Sequence, residues 1–267
     1  MISYKLWENA PGMCCEEPVI EYYPAENRQS DAAVVILPGG GYNHRAQHEG
    51  EGYAQYINSL GIDAFVCQYR VWPHKFPLEL LDARRAVRFV RYKAAELGLD
   101  PNKVALMGSS AGGHLSALTA TYTDPIEYEG VDEIDDLPFV PNATILCYAV
   151  LHCPDELEIA HYPSFANLLP ENADFRTVSP DFLVTKNTPP AFIWHTSGDP
   201  VVNVMNAYLY ASALRKFEIP HEMHVFAKGG HGLGVAAGWD YVNQWTTLLA
   251  NWFKHIGWLP EGGQTWR

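Results

Sequence analysis

Short apolar segments alternate with longer amphipathic segments along most of the chain, and this alternation limits the possible folds more than any other feature. The first apolar segment, AAVVIL at 32–37, is uniformly apolar, which is typical of a strand buried on both faces. Two amphipathic segments are followed by Gly61 and Gly98, and glycine commonly ends helices. The predicted strands cover 32–37, 62–69, 103–108, 142–151, 190–197 and 221–227. This order predicts an α/β fold with a mostly parallel central sheet and helices on both faces.

Two regions depart from the alternation. Residues 2–8 and 17–24 are strand-like neighbours that predict an N-terminal hairpin. Residues 152–189 contain prolines and aromatic residues but little periodicity, and irregular segments of this length are usually functional. We expect 152–189 to form a small cap-like excursion above the carboxyl ends of the strands, where open α/β folds bind ligands. Because there are no repeats or obvious linkers, residues 1–267 are predicted to form a single domain.

The formal net charge of −13 narrows the classes of partner. Nucleic acids and anionic membranes bind clusters of Lys and Arg, which this chain lacks, so neither is an expected partner. No apolar run reaches the ~20 residues that span a bilayer. The N-terminus lacks the basic and apolar regions of a signal peptide, which predicts a cytoplasmic location, with a trimmed export signal as the alternative. An odd set of five cysteines without metal-site spacing agrees with a reducing compartment.

The segment GSSAGG at 108–113 contains a Gly-x-Ser-x-Gly motif centred on Ser110. It lies between a predicted strand and a predicted helix, which is the position of a nucleophile elbow. A sharp turn there would project the serine hydroxyl above the sheet, and Gly108 and Gly112 would leave room for it. The alternative is a small serine in a glycine turn. Ser109 is not centred between the glycines, so we expect it to support the turn.

A serine nucleophile needs a general base, and four histidines in the last part of the chain are candidates. His221 and His224 lie in a predicted strand, and His255 closes the last predicted helix. His231 lies in the glycine-lined loop KGGHGLG directly after a strand, where its side chain can reach over the edge of the sheet. His231 is therefore the predicted base.

The imidazole of such a base is oriented by a carboxylate. Asp199 directly follows the predicted strand at 190–197, and the order Ser110, Asp199, His231 is the order typical of α/β-hydrolases. Asp155 and Asp181 are alternatives in the irregular segment. Asp199 has a second interpretation as a cap of the following helix.

The tetrahedral intermediate of acyl transfer needs amide donors for its oxyanion. The loop PGGGY at 38–42 follows the first buried strand and brings backbone amides into a turn with few side chains. Gly40 and Gly41 are the candidate donors, with Gly41 preferred, together with the amide of Ala111 after the nucleophile. Tyr42 is the aromatic residue that we expect at the substrate.

We expect the protein to use neither a metal ion nor an organic cofactor. The glycine-rich loop does not fit a dinucleotide fingerprint, because His44 stands where the third glycine belongs. His44 and His48 have a spacing that could hold a metal ion, but the sequence offers no third ligand. Arg70 ends a predicted strand, and we favour a buried ion pair over a substrate contact for it.

Several motifs together resemble the acetyl-xylan-esterase-like, or carbohydrate-esterase, branch of the α/β-hydrolases, which is related to the hormone-sensitive-lipase-type esterases. They are LPGGGY, HEGEGYAQYINSLGIDAFVCQYRV, LLDARRAVRFVR, GSSAGGHLSA, TPPAFIWHTSGDPVV and GGHGLG, spread over about 32–255. The resemblance implies Ser110 as nucleophile, Asp199 as acid and His231 as base. Lipase-type relatives have a histidine where Pro38 stands. The hydrogen bonds of that histidine must be replaced or absent in this chain.

The resemblance and the residues together predict a serine carboxylic-ester hydrolase that removes acetyl groups from carbohydrate. Its expected partner is a small-molecule or oligosaccharide ester. Within the same class, a general short-chain carboxylesterase or a prolyl-oligopeptidase-like peptidase is the alternative. A non-catalytic binding protein on a hydrolase scaffold is the alternative from a different class.

Overall fold

The computed structural model describes residues 1–12, 15–129, 132–153, 159 and 161–260. These residues form an eight-stranded sheet with the strand order β1-β2-β4-β3-β5-β6-β7-β8. The strands are β1 (Ile2–Lys5), β2 (Val19–Tyr23), β3 (Ala33–Leu37), β4 (Asp63–Gln68), β5 (Val104–Ser109), β6 (Ala143–Cys147), β7 (Ala191–Thr196) and β8 (His221–Phe226). β1 and β2 pair antiparallel, as do β2 and β4, and all other neighbours are parallel. The predicted N-terminal hairpin and the mostly parallel sheet are confirmed.

Helices cover both faces of the sheet. In the part of the chain that the structure describes, they are α1 (Gln47–Ser59), α2 (Leu78–Leu97), α3 (Ser110–Thr121), α4 (Tyr162–Leu168), α5 (Pro180–Leu183), α6 (Met205–Lys216) and α7 (Asp240–His255). Two short 3₁₀ helices cover Glu133–Asp136 and Phe175–Val178. None of the described helices is long and apolar enough to cross a membrane.

Strand β3 illustrates why the strand sequences are apolar throughout. Val34 and Ile36 belong to one core cluster, which includes residues of α1 and α7. Val35 and Leu37 belong to another, which includes residues of α2 and α3. Successive side chains of a strand point to opposite faces, so a strand covered by helices on both sides has no polar face.

Two element boundaries show how local backbone geometry sets the ends of the elements. Helix α2 ends at Gly98, whose φ of +68° is the left-handed conformation that glycine adopts without strain. The segment predicted as a strand over 142–151 stops pairing after Cys147, because Tyr148 has a φ of +37° and turns the chain. This turn directs the chain above the carboxyl ends of the parallel strands, where the candidate site lies.

Candidate active site

Ser110 is at the junction between β5 and α3 with a φ of +52°, a strained conformation for a residue with a side chain. The neighbouring glycines are required by close backbone contacts. A Cβ atom at Gly108 would lie 2.2 Å from the carbonyl oxygen of Gly112, and one at Gly112 would lie 2.0 Å from that of Leu37. The local sequence therefore folds into a sharp turn that places the Ser110 hydroxyl over the edge of the sheet.

Loops that follow β7 and β8 bring Asp199 and His231 to this serine. Nε2 of His231 lies 2.9 Å from Oγ of Ser110, and its Nδ1 lies 2.7 Å from a carboxylate oxygen of Asp199. β7 and β8 are parallel neighbours, so the loops that follow their carboxyl ends meet at one edge of the sheet. The three residues form one chain of hydrogen bonds, with the geometry of a nucleophile, a base and an orienting carboxylate.

The carboxylate of Asp199 is fully buried and also holds the loop in which it lies. Its Oδ1 accepts hydrogen bonds from the amides of Val201 and Val202 at 2.8 and 3.0 Å. Burial raises the pKa of this carboxyl group, but hydrogen bonds from His195, His231 and Val202 outweigh burial and hold the pKa well below its usual range. Asp199 is therefore ionised and fixed, as a partner of a histidine base requires. The capping interpretation applies to its own loop rather than to α6, which begins at Met205.

The alternative residues have other partners. Ser109 is buried, and its hydroxyl donates to that of Tyr53 at 2.8 Å, so it supports the turn. Asp181 lies 2.7 Å from Nδ1 of His152 rather than beside His231. Asp155 lies outside the described residues.

The glycine loop at 38–42, here called the oxyanion loop, packs directly against the nucleophile. A Cβ atom at Gly39 would lie 3.1 Å from that of Ser110. Gly40 and Gly41 have φ values of +131° and +63°. Within the described part of the chain, the amides of Gly40, Gly41 and Ala111 donate no hydrogen bond, whereas that of Gly39 is already engaged. The three predicted donors are thus without a partner among the described residues, as donors to an oxyanion must be.

Hydrogen bonds to Pro38, Gly39 and Gly41 stabilise the oxyanion loop, which has Pro38 at the position where a histidine was expected in lipase-type relatives. The amide of Gly39 donates to the carboxyl group of Glu49 at 2.8 Å, and Glu49 is 2% exposed. The hydroxyl of Tyr69 donates to the Pro38 carbonyl at 2.6 Å. Sequence reasoning missed Glu49; its signal was a carboxyl group in the motif HEGEGYAQ, on the helix that follows the loop.

Tyr148 connects this loop to the loop that carries His231. Its hydroxyl donates to Glu49 at 2.7 Å and accepts from the amide of Gly234 at 2.9 Å. Its ring contacts that of His231 edge to face, with 5.1 Å between the centroids. Tyr148 was also missed, because its role follows from the positive φ that ends β6.

The prediction for Tyr42 is wrong. Its side chain is 1% exposed, and its hydroxyl lies 2.5 Å from Nδ1 of His114 on α3. The left-handed conformation of Tyr42, with a φ of +59°, accompanies this inward orientation of the ring. Burial lowers the pKa of His114 to about 4, so its imidazole is neutral and forms part of the core.

Two further predictions concern residues near the site. Arg70 and Asp82 form a fully buried ion pair at 2.8 Å, which confirms the structural interpretation of Arg70. Nε2 of His48 lies 2.9 Å from the carbonyl oxygen of Gly232. No group of three His, Cys, Asp or Glu side chains that could hold a metal ion occurs among the described residues.

Comparison with known proteins gives a consistent set of relatives. The model of the BD-FAE family matches residues 21–143. Endo-1,4-beta-xylanase B of Butyrivibrio fibrisolvens is 38% identical over 221 residues, which are 78% of this chain and 34% of the relative. Acetylxylan esterase of Xylanibacter ruminicola is 32% identical over 235 residues, 85% of this chain and 46% of the relative. The chain thus spans a third to a half of the length of these curated relatives.

A solved structure matches over nearly the full length. The acetyl ester-xyloside bifunctional hydrolase from Caldicellulosiruptor lactoaceticus is 41% identical with a TM-score of 0.90, and the match covers 97% of each chain. The two chains therefore share one fold over nearly their full lengths.

Proposed function

The chain belongs to the acetyl-xylan-esterase-like branch of the α/β-hydrolase superfamily, and from this membership we propose that it is a serine esterase that removes acetyl groups from carbohydrate. The observation that carries the proposal is the continuous hydrogen-bond chain from Ser110 through His231 to Asp199. It joins a strained serine, a partly exposed histidine and a buried, ionised carboxylate. This combination is suited to acyl transfer.

In the proposed mechanism, Ser110 attacks the carbonyl carbon of the ester while its proton passes to Nε2 of His231. Asp199 accepts the hydrogen bond from Nδ1–H and stabilises the imidazolium that forms. The amides of Gly41 and Ala111 stabilise the oxyanion, with Gly40 as the neighbouring donor. His231 then protonates the departing alcohol, which leaves an acetyl group on Ser110. Finally, His231 takes a proton from water as the water attacks the acetyl carbonyl carbon. His231 then returns this proton to Oγ of Ser110 as the bond from Oγ to the acetyl group breaks, which releases acetic acid and free Ser110.

The choice of acetylated carbohydrate as substrate has two supports. Relatives that match at 32% and 41% identity are an acetylxylan esterase and an acetyl ester-xyloside hydrolase. The net charge of −13 also favours a neutral ester over an acidic one, because the field of the protein repels anions at low salt. An acetylated sugar satisfies both conditions.

The test is release of acetate from acetylated xylo-oligosaccharides, measured for the wild type and for Ser110→Ala. We expect turnover by the wild type, and loss of both turnover and fluorophosphonate labelling in Ser110→Ala. Ser109→Ala is the matched control and should keep most of the activity. Equal loss in the two variants would contradict the assignment of the nucleophile.

Acyl-chain length tests the substrate class separately. Among aryl esters, kcat/KM should fall beyond a chain of about four carbons, since each methylene that the site does not accommodate costs roughly 1–3 kcal/mol. Faster turnover of octanoyl than of acetyl esters, with no acetate released from any acetylated sugar, would overturn the proposed carbohydrate specificity.

A further inference from the structure

Helix α4, in the segment predicted as a cap, lies directly on the oxyanion loop. The side-chain amide of Asn167 donates to the carbonyl oxygen of Gly41 at 2.8 Å. The hydroxyl of Ser164, a buried residue, would lie 3.8 Å from a Cβ atom at Gly41. These contacts fix α4 against the part of the site where the carbonyl group of the substrate binds.

His161 directly precedes α4 and is half-buried. Its Nδ1 lies 2.8 Å from the hydroxyl of Ser164, which fixes the orientation of the ring. Burial lowers the pKa of His161, His231 lowers it further, and Asp199 acts in the opposite direction. The imidazole is therefore neutral near pH 7.

The second ring nitrogen, Nε2, forms no hydrogen bond with the residues that the structure describes. If the hydroxyl of Ser164 donates to Nδ1, the proton of the neutral imidazole is on Nε2, which then donates a hydrogen bond. If the hydroxyl of Ser164 accepts from Nδ1–H, Nε2 has no proton and accepts a hydrogen bond. A hydroxyl group both donates and accepts, so it can pair with either form. A carboxylate or an ammonium group can pair with one form alone.

We propose that His161 is a specificity-determining residue that binds a hydroxyl group of the sugar from which acetyl is removed. The inference rests on the proposed function, because it requires a polyhydroxylated alcohol. The leaving oxygen of the ester must lie beside Nε2 of His231, which protonates it. The sugar therefore extends from His231, and the imidazole of His161, which Ser164 holds beside the oxyanion loop, is placed to bind the hydroxyl beside the ester.

The experiment compares two acetate esters whose alcohols have similar ring size. Methyl xyloside that carries one acetyl group keeps two free hydroxyls, and cyclohexyl acetate has none. The ratio of their kcat/KM values should fall about 10-fold in His161→Ala, the value of one uncharged hydrogen bond. In His161→Gln, which keeps a neutral donor and acceptor, it should stay within about 3-fold of the wild type. The matched control is His221→Ala. His221 is also half-buried, but it begins β8 and so lies at the amino ends of the parallel strands, away from the site. This variant should leave the ratio unchanged.

The outcomes separate this inference from the proposed function. If the wild type does not prefer the xyloside over cyclohexyl acetate, the proposed carbohydrate specificity is wrong, and this inference falls with it. If the wild type has the preference and His161→Ala keeps it, or loses equal activity on both esters, the proposed function stands and the role of His161 is wrong.

Discussion

Two histidine–aspartate pairs in this molecule consist of the same chemical groups at the same distance. In His231–Asp199 and in His152–Asp181, Nδ1 of the imidazole lies 2.7 Å from a carboxylate oxygen. The side chain of His231 is 16% exposed and its other nitrogen reaches Ser110, whereas both side chains of the second pair are 6% exposed. The histidine of the first pair is thus accessible to a substrate, and the second pair is enclosed.

The surroundings explain the difference. Asp181 also accepts a hydrogen bond from the hydroxyl of Ser179 at 2.6 Å, and Ser179 accepts from the amide of Cys153. The second pair therefore joins the segment after β6 to α5. Asp199 and His231 instead follow two neighbouring parallel strands, at the edge where the nucleophile turn projects. A short histidine–carboxylate contact does not define a catalytic pair; its position relative to the nucleophile does.

Replacing the two aspartates by asparagine gives the largest contrast between the pairs. Asp199→Asn keeps the shape but removes the charge that stabilises the imidazolium, so kcat on acetyl esters should fall about 10⁴-fold. Asp181→Asn should change kcat by less than about 3-fold, because Asp181 does not contact His231. Steady-state kinetics of both variants measure this. A large loss in Asp181→Asn together with a small one in Asp199→Asn would reverse the assignment.

The second pair, His152–Asp181, should contribute to the stability of the fold rather than to catalysis. In Asp181→Asn, an acceptor of two partly buried hydrogen bonds loses its charge, so we expect the free energy of unfolding to fall by about 1–3 kcal/mol. Asp174→Asn is the matched control in the same segment: Asp174 is exposed, and its change should stay within about 0.5 kcal/mol. Urea unfolding measures both. If the two variants are equally stable, the second pair has no structural role.

Tyr148 supports the first pair, and its replacement should have a smaller effect on kcat than that of Asp199. Tyr148→Phe removes the hydroxyl that bonds both Glu49 and the amide of Gly234, so the loop of His231 loses a fixed contact. We expect kcat to fall about 10-fold through misplacement of the base. Tyr210→Phe is the control, since its buried hydroxyl bonds none of the described residues. Equal kcat in the two variants would show that Tyr148 does not position His231.

The sequence was sufficient for features that depend on chain order and insufficient for those that depend on the direction of a side chain. Ser110, Asp199 and His231 each follow a parallel strand, and the carboxyl ends of such strands share one edge, so their proximity was predictable. Glu49 and Glu51 look alike in HEGEGYAQ, yet Glu49 is buried under the oxyanion loop and Glu51 is exposed. Only packing distinguishes them. The prediction for Tyr42 failed for the same reason, because its ring packs into the core against His114 rather than facing the substrate.

The smallest expected effect concerns the acid stability of the first pair. The pKa of Asp199 in the folded protein lies below its value in the unfolded chain, about 3.9. Its ionised form therefore stabilises the fold fully above that pH, and this stabilisation is lost as the pH falls toward the folded-state pKa. Between pH 6 and pH 3, the wild type should lose about 1 kcal/mol more unfolding free energy than Asp199→Asn, which has no proton to bind there. Urea unfolding followed by tryptophan fluorescence at the two pH values measures the difference. Parallel losses in the two proteins would mean that the hydrogen bonds to Asp199 do not hold its carboxylate ionised, and that its pairing with His231 is no stronger electrostatically than an ordinary surface contact.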